Sequence, residues 1–301
     1  MKNRILKDRV LSNLLFIAFM EIVIFNIGKK LMRLVYNAIL QSIHTPDGIM
    51  GEFISNSVFL SVFLILIGLC LLFMRITKKS SLAVFIEGSA GRRFKAILLG
   101  MIIGFAMNAV ISLLAGATGT VRFTFNAVLW QTPVLILLMF IQVTAEEVLL
   151  RGYVLEFMKD RYDWSAPAFV SGTLFIFHHI TNMEVYGFHA IFALNIFLQG
   201  VLICLLVWSY RNFWIACGFH LAWNATQEYL FGLPNSGLSS SLALFRGFDA
   251  KDGVFYNTVY GNEGSLCTTV LYAVVILFLI WRRTKKDSEK WIDELCPADL
   301  R

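Results

Sequence analysis

Residues 132–157 read TPVLILLMFIQVTAEEVLLRGYVLEF, an apolar run that carries Glu146, Glu147 and Arg151 in its second half. A membrane-spanning helix needs about 20 mostly apolar residues, and this run is long enough. A charged side chain at membrane depth costs at least roughly 2.5–3.5 kcal/mol, so such residues point to a functional site. The stretch therefore predicts a membrane helix with functional residues inside it.

The composition of the whole chain agrees with a membrane protein. Of its 301 residues, 57% are hydrophobic and 15% are charged, and the mean hydropathy is +0.69. A soluble domain has about 45–50% apolar and about 25% charged residues. The net charge of +6 comes from Lys and Arg that flank apolar runs and form no single patch, which argues against nucleic-acid binding.

The apolar runs predict an all-α fold, a polytopic transmembrane helix bundle with about eight spans. The predicted spans are 10–28, 54–74, 95–116, 132–157, 165–181, 187–209, 213–231 and 265–281. If the N-terminus is cytoplasmic, 19 of the 26 Lys and Arg residues fall in inner segments and six in outer ones. This bias predicts that both termini are cytoplasmic. The segment from Lys29 to His44 is mixed in polarity, and we expect it to lie on the outer surface as an amphipathic helix.

Glu146 and Glu147 are adjacent, so their side chains point about 100° apart on a helix and cannot share one role. Glu147 precedes Arg151 by four residues, the favoured order for an ion pair on one helix face. That pair could simply hold the helix to its neighbours. Glu146 would then be a free carboxylate that faces a polar cavity, and we favour this functional interpretation.

Two further predicted spans carry histidines. His178 and His179 are adjacent, so we expect at most one of them to face the cavity of Glu146, and periodicity does not choose between them. His220 and Asn224 are four residues apart and share one helix face. Interhelical hydrogen bonding is the alternative for each of these residues.

Three weaker polar signals have structural interpretations. Asn195 and Gln199 are four residues apart in the sixth predicted span, where they could line the same cavity or join helices by hydrogen bonds, and we favour the second interpretation. Glu228 lies one turn beyond Asn224, near the outer end of its span, and we expect it to be solvated.

Together these residues suit hydrolysis of a peptide bond. Glu146 could take a proton from water as a general base, and Asn224 could donate to the developing oxyanion. Glu146, His179 and His220 could instead bind zinc, since one carboxylate and two imidazoles match catalytic zinc sites. A Glu that binds the metal is less available as a base, so both a zinc mechanism and a metal-free one stay open.

Three motifs resemble the CPBP family of intramembrane proteases, which includes type II CAAX prenyl endopeptidases and bacteriocin-processing or immunity proteins. Its Glu-Glu-x-x-x-Arg motif corresponds to Glu146, Glu147 and Arg151. Its Phe-x-x-x-His motif corresponds to Phe175 and His179, which selects His179 over His178. Its His-x-x-x-Asn motif corresponds to His220 and Asn224.

The resemblance implies that Glu146 activates water with His179, that His220 and Asn224 stabilise the oxyanion, and that Glu147 and Arg151 support them. Members are usually described as metal-dependent, although a metal-free glutamate mechanism is also argued. The expected organisation is one membrane domain, 1–301. It consists of N-terminal spans without a motif at 1–129, a catalytic core at 130–231, and an external loop, last span and basic tail at 232–301.

The leading hypothesis is an intramembrane endopeptidase in the cell membrane that contacts lipid and cleaves a membrane-associated peptide or protein. The alternative is a non-catalytic immunity or regulatory factor that uses the same fold. A transporter is disfavoured, because transporters often have helices broken by paired Gly or Pro and this chain has only five Pro.

Overall fold

A computed structural model describes residues 2–77, 82–126, 130–158 and 162–295, and these residues form a mostly helical fold. The α-helices are α1 (Lys2–Ser42), α2 (Ile49–Ser61), α3 (Phe63–Thr77), α4 (Ala90–Ala117), α5 (Gln131–Glu147), α6 (Glu156–Met158), α7 (Ser165–Tyr186), α8 (Ala190–Tyr210), α9 (Trp214–Ala225) and α10 (Leu266–Leu295). Two π-helical segments, Val148–Leu155 and Thr226–Leu230, follow α5 and α9 directly. Short 3-10 helices cover Leu82–Phe85 and Asn262–Gly264.

Five described helical stretches are long and apolar enough to cross a membrane, which makes this a multi-pass membrane protein. They are Ile49–Ile76, Ala90–Ala117, Gln131–Leu155, Ala190–Tyr210 and Leu266–Lys285. Each coincides with a predicted span. The other three predicted spans are helical as well, but the count of eight and the orientation of the termini remain predictions. Lys159 and Arg161, which contribute to the orientation count, lie outside the described residues.

The expectation of an all-α chain needs one correction. Strands β1 (Arg122–Phe125) and β2 (Phe245–Phe248) pair antiparallel, with Arg122 opposite Phe248. Both segments lie in connections between helices, where no helical periodicity constrains the backbone. The rings of Phe125 and Phe245 also meet edge to face, with centroids 6.0 Å apart, which favours the pairing.

The segment from Lys29 to His44 is not a separate surface helix. Residues up to Ser42 continue α1 without a break, and the helix ends shortly before Pro46. No glycine or proline interrupts the stretch between Lys29 and Ser42, so helical hydrogen bonding continues through it. This helix places Lys29 and Arg33 at the wall of a cavity in the bundle.

Glycines fix the position of α9, the helix that carries His220 and Asn224. A methyl group at Gly218 would lie 2.1 Å from the carbonyl oxygen of Ile97 in α4. Methyl groups at Gly100 and Gly104 of α4 would lie 2.3 Å from carbonyl oxygens of α9. Small residues spaced by four allow two membrane helices to pack backbone against backbone. The close packing of α4 on α9 therefore sets the depth and rotation of the functional helix.

Candidate active site

The two adjacent carboxylates lie at the end of α5, where the backbone widens into the π-helical segment Val148–Leu155. Glu147 is fully buried, whereas Glu146 is 8% exposed and lines a cavity of about 670 Å³. Wide π-helical turns often occur at functional sites. The two neighbours thus have different surroundings, as their different directions on the helix predicted.

Arg151 is the buried partner of Glu147, as the four-residue spacing predicted. Its Nη1 lies 3.1 Å from the Glu147 carboxylate, and both side chains are fully buried. Its Nη2 donates a 2.9 Å hydrogen bond to the carbonyl oxygen of Gly200 in α8. The pair therefore neutralises two charges inside the bundle and also joins α5 to α8.

Glu147 has a second partner that the sequence did not reveal. Its Oε1 lies 2.9 Å from Nδ1 of His220, on α9. The carboxylate accepts this hydrogen bond, so Nδ1 of His220 carries the proton. The opposite nitrogen, Nε2, then points toward Glu146 and lies 4.0 Å from its Oε2. Glu147 thus orients His220 toward the carboxylate that faces the cavity.

The phenylalanine of the second motif lies between the functional side chains. The Phe175 ring is fully buried and meets the rings of His179 and His220 edge to face, at centroid distances of 4.9 and 5.6 Å. The Arg151 guanidinium lies 5.3 Å from the same ring. Phe175 therefore fixes the spacing of three polar side chains, which gives a physical reason for an aromatic residue at this position.

His179 is oriented by its own helix. Its Nδ1 lies 2.9 Å from the carbonyl oxygen of Phe175, which can only accept a hydrogen bond. The proton therefore sits on Nδ1, and Nε2 keeps a free lone pair. Because His179 lines the cavity together with Glu146, this lone pair is available to a water molecule or a substrate group.

The expectation that at most one of the adjacent histidines would face the cavity is wrong, because His178 lines it as well. The His178 ring stacks on Phe25 of α1, with ring centroids 3.7 Å apart and an angle of 12° between the planes. Its backbone carbonyl accepts a 3.1 Å hydrogen bond from Nζ of Lys29. His178 therefore connects α7 to α1, and the cavity is wide enough to reach both histidines.

Asn224 completes the set of predicted residues at the cavity. It is 6% exposed and lines the same wall as His220, one helical turn away. The cavity also receives side chains from α1, α2 and α3, although no motif marks these helices. Examples are Lys29, Arg33, Tyr36, Phe59, Phe63 and Leu66. The cavity therefore joins the predicted core to the N-terminal spans.

The weaker polar signals turn out differently from one another. Asn195 joins helices as expected: its Oδ1 accepts a 2.7 Å hydrogen bond from Thr269 of α10, and its Nδ2 donates to the carbonyl oxygens of Glu263 and Ser265 at 2.8 Å each. Gln199 does not, since neither atom of its amide has a hydrogen-bond partner among the described residues. Glu228 was expected to be solvated, but it is only 9% exposed and lines the cavity. Asn235 of the long loop after α9 donates a 3.2 Å hydrogen bond to Glu228, a contact that the sequence of the span did not reveal.

That loop is held in place by α2. Glu52 accepts hydrogen bonds of 2.8 Å from Oγ of Ser240 and from the backbone N–H of Ser241. The Gly- and Ser-rich loop thus closes one end of the cavity, and Glu52, which anchors it, lies in a span that carries no motif. Apart from the loop, Gln142 of α5, which the motifs do not include, donates a long 3.5 Å hydrogen bond to Oε1 of Glu146.

The proposed zinc ligands Glu146, His179 and His220 have suitable chemistry, since both histidines keep Nδ1 bonded and present Nε2. The distance of 4.0 Å between Glu146 Oε2 and His220 Nε2 exceeds the roughly 3.3 Å expected of two ligands on one tetrahedral zinc ion. Within the described part of the chain, no three His, Cys, Asp or Glu side chains are close enough to bind a metal ion. Zinc binding would require these side chains to move closer to one another, and it stays a prediction.

The helices and the site define a class: multi-pass membrane proteins with a buried centre of carboxylate and imidazole groups. Residues 128–226 match the family model described as type II CAAX prenyl endopeptidase Rce1-like. This match, over about a third of the chain, confirms the resemblance carried by the three motifs. The segment contains all the predicted site residues. Neither a curated protein nor a solved structure gives a match.

Proposed function

We propose that this protein is an intramembrane endopeptidase that hydrolyses a peptide bond of a membrane-associated substrate in the cell membrane. One observation carries the proposal: Glu146 and His220 approach to 4.0 Å at the wall of a cavity of about 670 Å³, with Glu147 holding His220 in place. The family match at residues 128–226 supports the same reaction class.

In this mechanism Glu146 takes a proton from a water molecule as the water oxygen attacks the scissile carbonyl carbon. The lone pair on Nε2 of His179 orients that water. The carbonyl oxygen gains negative charge, which the Asn224 amide and a doubly protonated His220 stabilise by donating hydrogen bonds. Glu146 then gives its proton to the leaving amine nitrogen, and the carbon–nitrogen bond breaks.

Glu147 and Arg151 act behind the reacting groups. The Glu147 carboxylate accepts the Nδ1–H of His220 at 2.9 Å, so it can offset the positive charge of the imidazolium. Arg151 keeps Glu147 ionised and fixed between helices, since it binds both Glu147 and the carbonyl oxygen of Gly200. A hydrolase site needs such pre-organised groups, because its donors must already point at the developing charge.

The test is a comparison of the membrane proteomes of cells that carry wild-type protein or the Glu146→Gln variant. Gln keeps the size of Glu but cannot accept the proton, so at least one uncleaved substrate should accumulate. Glu184→Gln is the control, because Glu184 is exposed at the end of α7 and does not line the cavity. Full substrate processing by Glu146→Gln would refute the mechanism.

The alternative, a non-catalytic immunity or regulatory factor, makes the opposite prediction. It binds its partner through the fold, so Glu146→Gln and His179→Ala should both leave the cellular phenotype intact. The same strains test this alternative. Loss of the phenotype in correctly inserted variants would argue against a non-catalytic factor.

A further inference from the structure

A second polar group lies in the wall of the cavity, apart from the residues of the proposed mechanism. It consists of Glu228 after α9, Glu263 in the loop before α10, and Gln199 on α8. Their exposed fractions are 9%, 2% and 1%. All three line the cavity that holds Glu146. We call them the acidic subsite.

The two carboxylates of the acidic subsite have only neutral hydrogen-bond donors. Asn235 donates to Glu228 at 3.2 Å. The backbone N–H and the hydroxyl of Ser236 donate to Glu263 at 2.7 and 2.9 Å. Throughout the described ranges, no Lys or Arg forms an ion pair with either carboxylate. When both carboxylates are ionised they repel each other, and a cation placed between them would relieve that repulsion.

Gln199 independently indicates a ligand. Its Oε1 and Nε2 are both buried, and neither has a hydrogen-bond partner among the described residues. A buried polar atom without a partner costs about 1–3 kcal/mol, so two of them on one side chain need a reason. A peptide group supplies one N–H and one C=O, which together satisfy a side-chain amide. The residue therefore fits the main chain of a bound peptide.

We propose that the acidic subsite binds a basic residue, Lys or Arg, of the peptide substrate, while Gln199 binds the adjacent peptide group. The proposal rests on the proposed function, because it assigns a specificity to that cavity. Glu228 follows His220 by eight residues and lines the same cavity, so it lies at most about 12 Å further along the helix at 1.5 Å per residue. An extended peptide advances about 3.3 Å per residue, so the basic residue should lie within about four residues of the scissile bond.

Binding can be measured without cleavage. Full-length Glu146→Gln protein in neutral detergent is titrated into two fluorescent ten-residue Ala/Leu peptides that differ only in a central Lys or norleucine. The Lys peptide should bind at least tenfold more tightly. Adding Glu228→Gln and Glu263→Gln should reduce that preference to below threefold, whereas adding Glu184→Gln should preserve it. Equal binding of the two peptides to the Glu146→Gln protein, or binding of neither, would overturn the proposal even if the other variants misfold.

Cleavage separates this inference from the proposed function. The wild-type protein is incubated with a series of such peptides in which Lys occupies each position in turn, and products are identified by mass spectrometry. Cuts should fall within about four residues of Lys. Cuts at positions unrelated to that of Lys would overturn the proposed specificity of the acidic subsite and would still support the proposed peptidase function. Preferential binding of Lys peptides without any cleavage would support the acidic subsite and count against the peptidase.

Discussion

The buried pair of Glu147 and Arg151 gives the sharpest energetic prediction. Both side chains are fully buried, and their charged atoms are 3.1 Å apart. Removing one partner of such a pair leaves an unpaired charge, which costs about 3–5 kcal/mol, whereas replacing both partners is often neutral. We therefore expect Glu147→Gln to lower the free energy of unfolding by about 3–5 kcal/mol.

The double variant Glu147→Gln with Arg151→Met should recover most of that loss. Methionine has no charge to leave unpaired, and it fills much of the space of the Arg151 stem. The carbonyl oxygen of Gly200 would still accept a 3.1 Å hydrogen bond from Ser171, so removing Arg151 does not leave it without a partner. Peptidase activity should nevertheless stay low in the double variant, because a neutral Gln cannot offset the charge of His220.

The assay is reversible unfolding in mixed detergent micelles titrated with SDS, followed by tryptophan fluorescence. Wild-type protein, both single variants and the double variant form a cycle that isolates the coupling energy of the pair. Glu87→Gln is the control, since Glu87 is exposed. If Glu147→Gln loses less than about 1 kcal/mol, or if the double variant is as unstable as the single one, the pair is not a buried ion pair of the kind described.

Three further predictions concern packing, pH and metal. Gly218→Ala should destabilise the protein by about 1–3 kcal/mol or more, because its methyl group would lie 2.1 Å from a backbone oxygen. Gly68→Ala should have little effect in the same unfolding assay, since nothing lies within 4 Å of that position. Burial raises the pKa of Glu263 from 4.5 to about 7, so the folded state holds this proton more tightly. That stabilisation is complete below pH 4.5 and is lost as the pH rises to about 7. The stability of wild type relative to Glu263→Gln should therefore fall by about 3 kcal/mol over this range, and a pH-independent difference would contradict it. The proposed metal-free mechanism predicts equal peptidase activity in 1,10-phenanthroline and in its non-chelating 1,7 isomer. Selective loss in the chelator, restored by zinc, would show that this mechanism is wrong and that the zinc alternative holds.

The sequence determined the features that depend on one helix at a time. Apolar runs predicted the five helical stretches that can cross a membrane, because span length follows from bilayer thickness. The four-residue spacing of Glu147 and Arg151 predicted their ion pair, because residues four apart share a helix face. The motifs also singled out Glu146, His179, His220 and Asn224, all of which line the cavity.

Only the tertiary structure decided how the helices rotate against one another. The hydrogen bond from His220 to Glu147 joins residues 73 positions apart, and no local periodicity predicts it. The burial of Glu228, the unpartnered amide of Gln199 and the shared exposure of both histidines to the cavity also depend on neighbouring helices and the long loop. Helical geometry fixes which residues share a face, but close packing, here through Gly100, Gly104 and Gly218, decides what each face meets.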